Sequence, residues 1–182
     1  AALWFWRLRT ATPGGEAELR AMSLTSYVGS EQWPSLSPDG RQVAFAWNGE
    51  TRDNMDVYVK LIGSAGPPLR LTTHRAPDSY PAWSPDGRWI AFLRSDKSRN
   101  EVLLIPPLGG PERKLTDVNL FPGAYHSVTW TPDSRWLIVP DRPAPDKPAA
   151  LFLLSAESGE RRQLTTPPPD VNGDIHPAVS PD

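Results

Sequence analysis

The chain has 182 residues, 19 basic against 21 acidic for a net charge of −2, and no cysteine. No basic stripe stands out, which excludes nucleic acid as the main partner of this segment, and neither a disulfide framework nor thiolate chemistry is available. The 22 prolines and eight tryptophans fit many tight corners between buried strands, because disordered chains that are rich in proline are poor in aromatics.

No stretch reaches the ~18 apolar residues that a membrane-spanning helix needs. The chain opens on AALWFW, followed by Arg7 and Arg9. Two readings stand. Residues 1–6 are a buried N-terminal segment, or they are the last turns of a transmembrane helix with Trp4 and Trp6 at the interface. In the second reading residues 1–18 are that helix end and a juxtamembrane linker.

From residue 19 onward the chain repeats. Ser37-Pro38-Asp39-Gly40 returns as Ser84-Pro85-Asp86-Gly87, Thr131-Pro132-Asp133-Ser134 and Ser180-Pro181-Asp182, after 47, 47 and 49 residues. A Leu-Thr pair runs in phase at Leu24-Thr25, Leu71-Thr72, Leu115-Thr116 and Leu164-Thr165. An apolar run follows each turn: Val43-Ala44-Phe45, Ile90-Ala91-Phe92 and Leu137-Ile138-Val139. Each period reads as four short strands, the second period giving residues 81–84 and 88–93, then residues 101–105 and a Leu-Thr strand. The corresponding third strands are residues 57–61 and 151–154. The fourth strand of the first period is residues 69–72, and residues 19–25 supply one more outer strand.

The second strand is apolar on consecutive residues, so both of its faces are buried. The fourth alternates, with Leu69 and Leu71 expected inward and Arg70 and Thr72 outward. Sheets stacked face to face around an axis produce this gradient, and a period of 47 residues matches one blade of a β-propeller. The expected fold is all-β, with four-stranded antiparallel blades at about residues 31–72, 78–116 and 125–165 and the start of another at 174–182.

The Ser-Pro-Asp-Gly corner explains itself physically. Pro38, Pro85 and Pro132 have φ preset for the second position of a type I turn. Asp39, Asp86 and Asp133 can accept nearby backbone N–H groups. Gly40 and Gly87 tolerate the left-handed conformation that closes the hairpin. Ser134 takes that place in the third copy, so this hairpin is expected to be the least regular. A nucleophilic reading of these Ser and Asp residues fails, because the motif recurs four times in a chain with three histidines and no Gly-x-Ser-x-Gly elbow. No catalytic residue, metal site or cofactor is expected.

PSLSPDGRQVAF at residues 34–45 and PAWSPDGRWIAF at 81–92, with the looser VTWTPDSRWLIV at 128–139, resemble the TolB-like propeller repeat, a Pro-Asp variety of WD-like repeat. The resemblance covers residues 19–182 and implies part of a larger ring of six to eight blades, with exposed blade edges open to self-association. Residues 25–73 are also similar to propeller segments that follow a membrane helix in bacterial transcriptional regulators and Ser/Thr kinases. That likeness implies a noncatalytic sensor or scaffold module on the extracytoplasmic face, touching the membrane only through its N-terminal end. Arg7 and Arg9 run against the positive-inside tendency and keep a cytoplasmic placement open. Two alternatives remain: the propeller of a prolyl-oligopeptidase-like hydrolase, and a periplasmic translocation protein of TolB type.

Propellers bind ligands at the mouth of the central channel, beside the strand before each turn. Six residues before the Ser or Thr stand Glu31, Asp78, Tyr125 and Asp174, and four before it stand Trp33, Tyr80, Ser127 and His176, with His126 between. Acids and aromatics on successive blades would suit a protein or peptide ligand, a basic one in particular. The competing reading has the carboxylates capping turns and the aromatics packing between blades. Residues 48–56, NGETRDNMD, read as a solvated loop rather than a calcium site.

Overall fold

The computed structural model describes residues 21–96, 99–120 and 127–180, and the N-terminal stretch expected to end a membrane helix lies outside them. The described residues contain strands, turns and no helix. The first sheet holds β1 (Glu31–Leu36), β2 (Gln42–Trp47), β3 (Asp56–Leu61) and β4 (Leu69–Arg70). The second holds β5 (Asp78–Trp83), β6 (Ile90–Asp96), β7 (Arg99–Ile105) and β8 (Arg113–Val118). The third holds β9 (Thr129–Trp130), β10 (Trp136–Asp141), β11 (Ala150–Ser155) and β12 (Arg161–Gln163). Each sheet is an antiparallel meander whose spatial order follows the sequence, which is the expected blade.

Two-sided burial of the second and third strands stacks these sheets. Along β6, Ile90 and Phe92 face the first sheet, where they meet Ala44, Val57 and Val59. Ala91 and Leu93, on the opposite face, meet Leu137, Val139, Ala150 and Phe152 of the third sheet. A small residue against large ones lets neighbouring sheets approach closely. Burying each large aliphatic or aromatic side chain this way stabilises by about 1.5–3 kcal/mol. A third cluster, Val43, Phe45, Trp47 and Tyr58, covers the other face of the first sheet and is capped by Leu24 and Tyr27.

The turns show why their motif is fixed. In the first, Ser37 Oγ donates to Asp39 Oδ1 at 2.6 Å and accepts the Gln42 N–H at 2.9 Å, while Asp39 Oδ1 takes the Arg41 N–H at 3.0 Å. The second repeats this at Ser84, Asp86, Trp89 and Arg88 with 2.6, 2.9 and 3.0 Å. The third repeats it at Thr131, Asp133, Trp136 and Arg135 with 2.5, 3.1 and 3.0 Å. The third turn therefore closes with the same bonds as the others, against expectation, while its ladder is shorter, with two residue pairs against four. Ser134 adopts a φ of 59°, beside 67° at Gly40 and 74° at Gly87. Its Oγ offsets that strain by accepting the Asp86 N–H of the neighbouring blade at 2.9 Å.

The outer strands correct the sequence reading. β4 has two residues, and Leu69 is 46% exposed whereas Thr72 is 1% exposed. Thr72 is inward because its Oγ1 accepts the Val57 N–H at 3.0 Å and donates to Asp56 at 3.3 Å. Thr165 holds the Leu151 N–H the same way at 3.0 Å. In the first and third blades the threonine of the Leu-Thr marker is thus a clasp on the start of the third strand, whereas Thr116 of the second donates to the Asp117 carbonyl at 3.2 Å. Residues 21–25 and 174–180 form no strand. The Asp174 N–H donates to the Ala149 carbonyl at 2.8 Å.

Phe92→Ala, at a position with 0% exposure, should lower the unfolding free energy in urea by about 3–5 kcal/mol. Leu61→Ala, at 55% exposure, should change it by less than about 0.5 kcal/mol. In the turns, Ser hydrogen bonding holds Asp39 below the ordinary 3.8, Thr131 does so for Asp133, and at Asp86 burial is outweighed by the Ser84 and Arg88 bonds together. A depressed carboxylate contributes stability above its unfolded pKa and loses it as pH falls through the folded value. Asp86→Asn should therefore melt below the parent at neutral pH, and the gap should close as the pH drops below 3.8.

Candidate ligand site on the channel wall

The first strands of the three blades line a common cavity of about 420 Å³. Its wall runs from Trp33, Pro34 and Ser35 through Tyr80 to Trp83 and Pro85, then to Ser127 through Trp130. Trp33 and Tyr80 have φ of 52° and 53°. Left-handed backbone at a non-glycine residue costs of the order of 1–3 kcal/mol. Each residue precedes a proline, and each breaks the ladder of its strand, between Gln32 and Ser35 and between Ser79 and Ala82. Such an irregularity re-aims the side chain. Here it brings the two rings together across the blade boundary, with centroids 4.1 Å apart and planes inclined at 33°.

Polar bonds lock these strands to one another. Ser35 Oγ accepts the Trp83 N–H at 2.9 Å, and Trp130 Nε1 donates to the Ala82 carbonyl at 2.9 Å. The wall carries hydroxyls at Ser35, Ser127 and Thr129, and none of its described residues is acidic or basic.

Of the residues proposed from sequence, the cavity gathers Trp33 and Tyr80, together with Ser127 from the same alignment column. The acidic column behaves differently. Asp78 is 0% exposed and grips Arg94 through both oxygens, at 2.7 and 2.8 Å. Arg94 also holds Glu112 at 2.6 Å. Burial pushes the Asp78 carboxyl up against the pull of Arg94. At Arg94 the two carboxylates outweigh burial and push the guanidinium up. Asp78 is thus corrected from a ligand group to an interior tie. Glu31 stands opposite Trp47, where Asp78 stands opposite Arg94. With no cation paired to it among the described residues, it accepts the Tyr27 N–H at 2.7 Å, and its Oε2 is buried without a hydrogen bond among them. Neither acid lines the cavity, and neither do Asp174 and the exposed His176. Tyr125 and His126 lie outside the described residues.

Comparable ties recur in the other blades. Asp56, 1% exposed as a side chain, pairs with Arg70, and Asp141, 3% exposed, pairs with Arg161 at 2.5 Å. Sequence reasoning missed Pro34, Pro81, Ser35, Trp83 and Trp130 as wall residues. The recurring aromatic-proline dipeptide, Trp33-Pro34 and Tyr80-Pro81, was the available signal.

Asp78→Ala should destabilise by about 1–3 kcal/mol, less than a fully stranded charge would, because Glu112 still pairs with Arg94. Adding Arg94→Met should recover much of that loss, and a double-mutant cycle in urea measures the coupling.

No protein-family model matches the chain, and no curated protein matches it. Solved structures do. TolB from Acinetobacter baumannii superposes with a TM-score of 0.64 at 20% identity, over 78% of this chain and 34% of that one. A putative TolB from Agrobacterium tumefaciens gives 0.59 at 21%, over 77% and 50%. The β-propeller domain of the Trilobed protease from Pyrococcus furiosus gives 0.54 at 18%, over 75% and 43%. The chain spans between 34% and 50% of the length of these neighbours. At such identity the likeness fixes the fold alone: the three sheets are blades of a TolB-like β-propeller.

Proposed function

We propose that the chain is a noncatalytic protein- or peptide-binding module whose ligand enters the channel-wall cavity. The observation that carries this reading is the strained Trp33–Tyr80 pair. Two unfavourable backbone conformations are spent on setting two large rings beside a cavity of about 420 Å³, and such strain clusters where ligands are clamped. Aromatic anchors at the centre of a recess are the usual carriers of binding energy. The Ser, Thr and Asp residues of the turns are fully engaged in holding hairpins, which supports a noncatalytic role.

With Asp78 tied to Arg94 and Glu31 bonded to the Tyr27 N–H, the wall favours an uncharged, apolar or hydroxyl-bearing stretch of ligand over a basic one. The apolar stretch AALWFW and the similarity of residues 25–73 to propeller segments of regulators support reading the module as the extracytoplasmic sensor part of a membrane-anchored bacterial regulator. The likeness to a protease's propeller domain supports a second reading, a module accompanying a hydrolase.

Trp33→Gly and Tyr80→Gly test the role of the wall, because glycine relieves the positive φ while deleting the ring. Fluorescence anisotropy against a panel of neutral, acidic and basic peptides should show neutral members bound and both variants weakened roughly tenfold or more. Variants that bind like the parent would sink the proposal.

A further inference from the structure

A second cavity, of about 260 Å³, lies where the β2–β3 loop folds beside the first blade, and it shares no lining residue with the channel wall. We propose that this cavity binds an organic cation of the alkylammonium class between the rings of Tyr27, Trp47 and Tyr58 and the carboxylates of Glu50 and Asp53.

The rings form a contiguous wall. Tyr27 and Trp47 have centroids 5.0 Å apart at 32°, and Trp47 and Tyr58 are 5.0 Å apart at 61°. Inclined electron-rich faces around a recess attract a cation through their quadrupoles. Tyr27 already does so on a small scale, with Lys60 Nζ 5.6 Å from its centroid. Lys60 is tethered to the Ser64 and Gly66 carbonyls, both at 2.9 Å, and does not line the cavity.

The charges on the lining favour the same ligand. Three carboxylates, Glu50, Asp53 and Asp56, face one cation, Arg70. Asp56 is neutralised where it stands: it pairs with Arg70 and also receives Thr72 and Asn54, both at 3.3 Å. Arg70 is turned toward that floor, its Nε donating to the Thr72 carbonyl at 3.0 Å. Glu50 and Asp53 are left at the rim with no ion pair among the described residues. The Thr51 hydroxyl holds Asp53 below the ordinary carboxylate range, so it is ionised at neutral pH. An aromatic wall under a rim with more carboxylates than cations complements an alkylammonium head. A free quaternary amine and the side chain of a partner's lysine both present that chemistry.

The test uses two probes and Trp fluorescence with calorimetry. One is tetramethylammonium chloride, titrated against sodium chloride at equal ionic strength. The other is a lysine-bearing hexapeptide compared with its lysine-acetylated twin. Saturable binding of tetramethylammonium alone assigns a free small molecule, and binding of the unacetylated peptide alone assigns a partner side chain. Asp53→Asn and Tyr27→Leu should each weaken the bound probe roughly three- to tenfold. Trp33→Gly should bind the probe as the parent does. Absence of saturable binding in both arms, or binding that survives both substitutions, overturns the proposal.

Discussion

The structure depends on strands that cannot face water on either side. β2, β6 and β10, with their third-strand partners, carry apolar side chains outward from both faces, so no single sheet is stable by itself. Each must lie between two others. The alternation of Ala44 and Ala91 with Phe45 and Phe92 sets how closely they lie, since the small residue of one sheet receives the bulk of the next. Stacking of this kind leaves the first strand of every blade on the inner wall, and the ligand cavity follows from that placement.

Polar groups then fix what apolar packing leaves loose. Hydroxyl and carboxylate pairs hold the hairpins at one end of the blades. Asp–Arg pairs tie strands within them: Asp78 with Arg94, buried on both sides, and the buried Asp56 and Asp141 with the exposed Arg70 and Arg161. Buried pairs of this type add little net stability over apolar packing, but they penalise misregister severely. In a repeat protein, where one blade could slip against its copies, that penalty maintains the alignment of near-identical strands.

Architecture was legible in the sequence because it is written in residues that recur. The 47-residue return of Ser-Pro-Asp and the double-faced second strand led directly to the observed sheets. The outer strands were misread because Thr72 is held inside by hydrogen bonds, which hydrophobic alternation does not register. The site was half legible. Trp33 and Tyr80 stand out as aromatic residues in one column, but their left-handed backbone leaves no trace in residue type. Asp78 and Glu31 share a column and have different fates because their cross-strand partners are Arg94 and Trp47, a difference visible only once the register is known.

The hydrogen bond from the Asp86 N–H to Ser134 sets one junction of the chain apart. It joins two hairpins of one repeated motif, and it requires a hydroxyl on the later copy. Gly87, which lies beside Pro38 of the first turn in the equivalent position, has none to offer. The copies have therefore ceased to be interchangeable: exchanging the second and third turns would move the hydroxyl to a different junction. Recurrence makes the units alike, and this single side chain gives them an order.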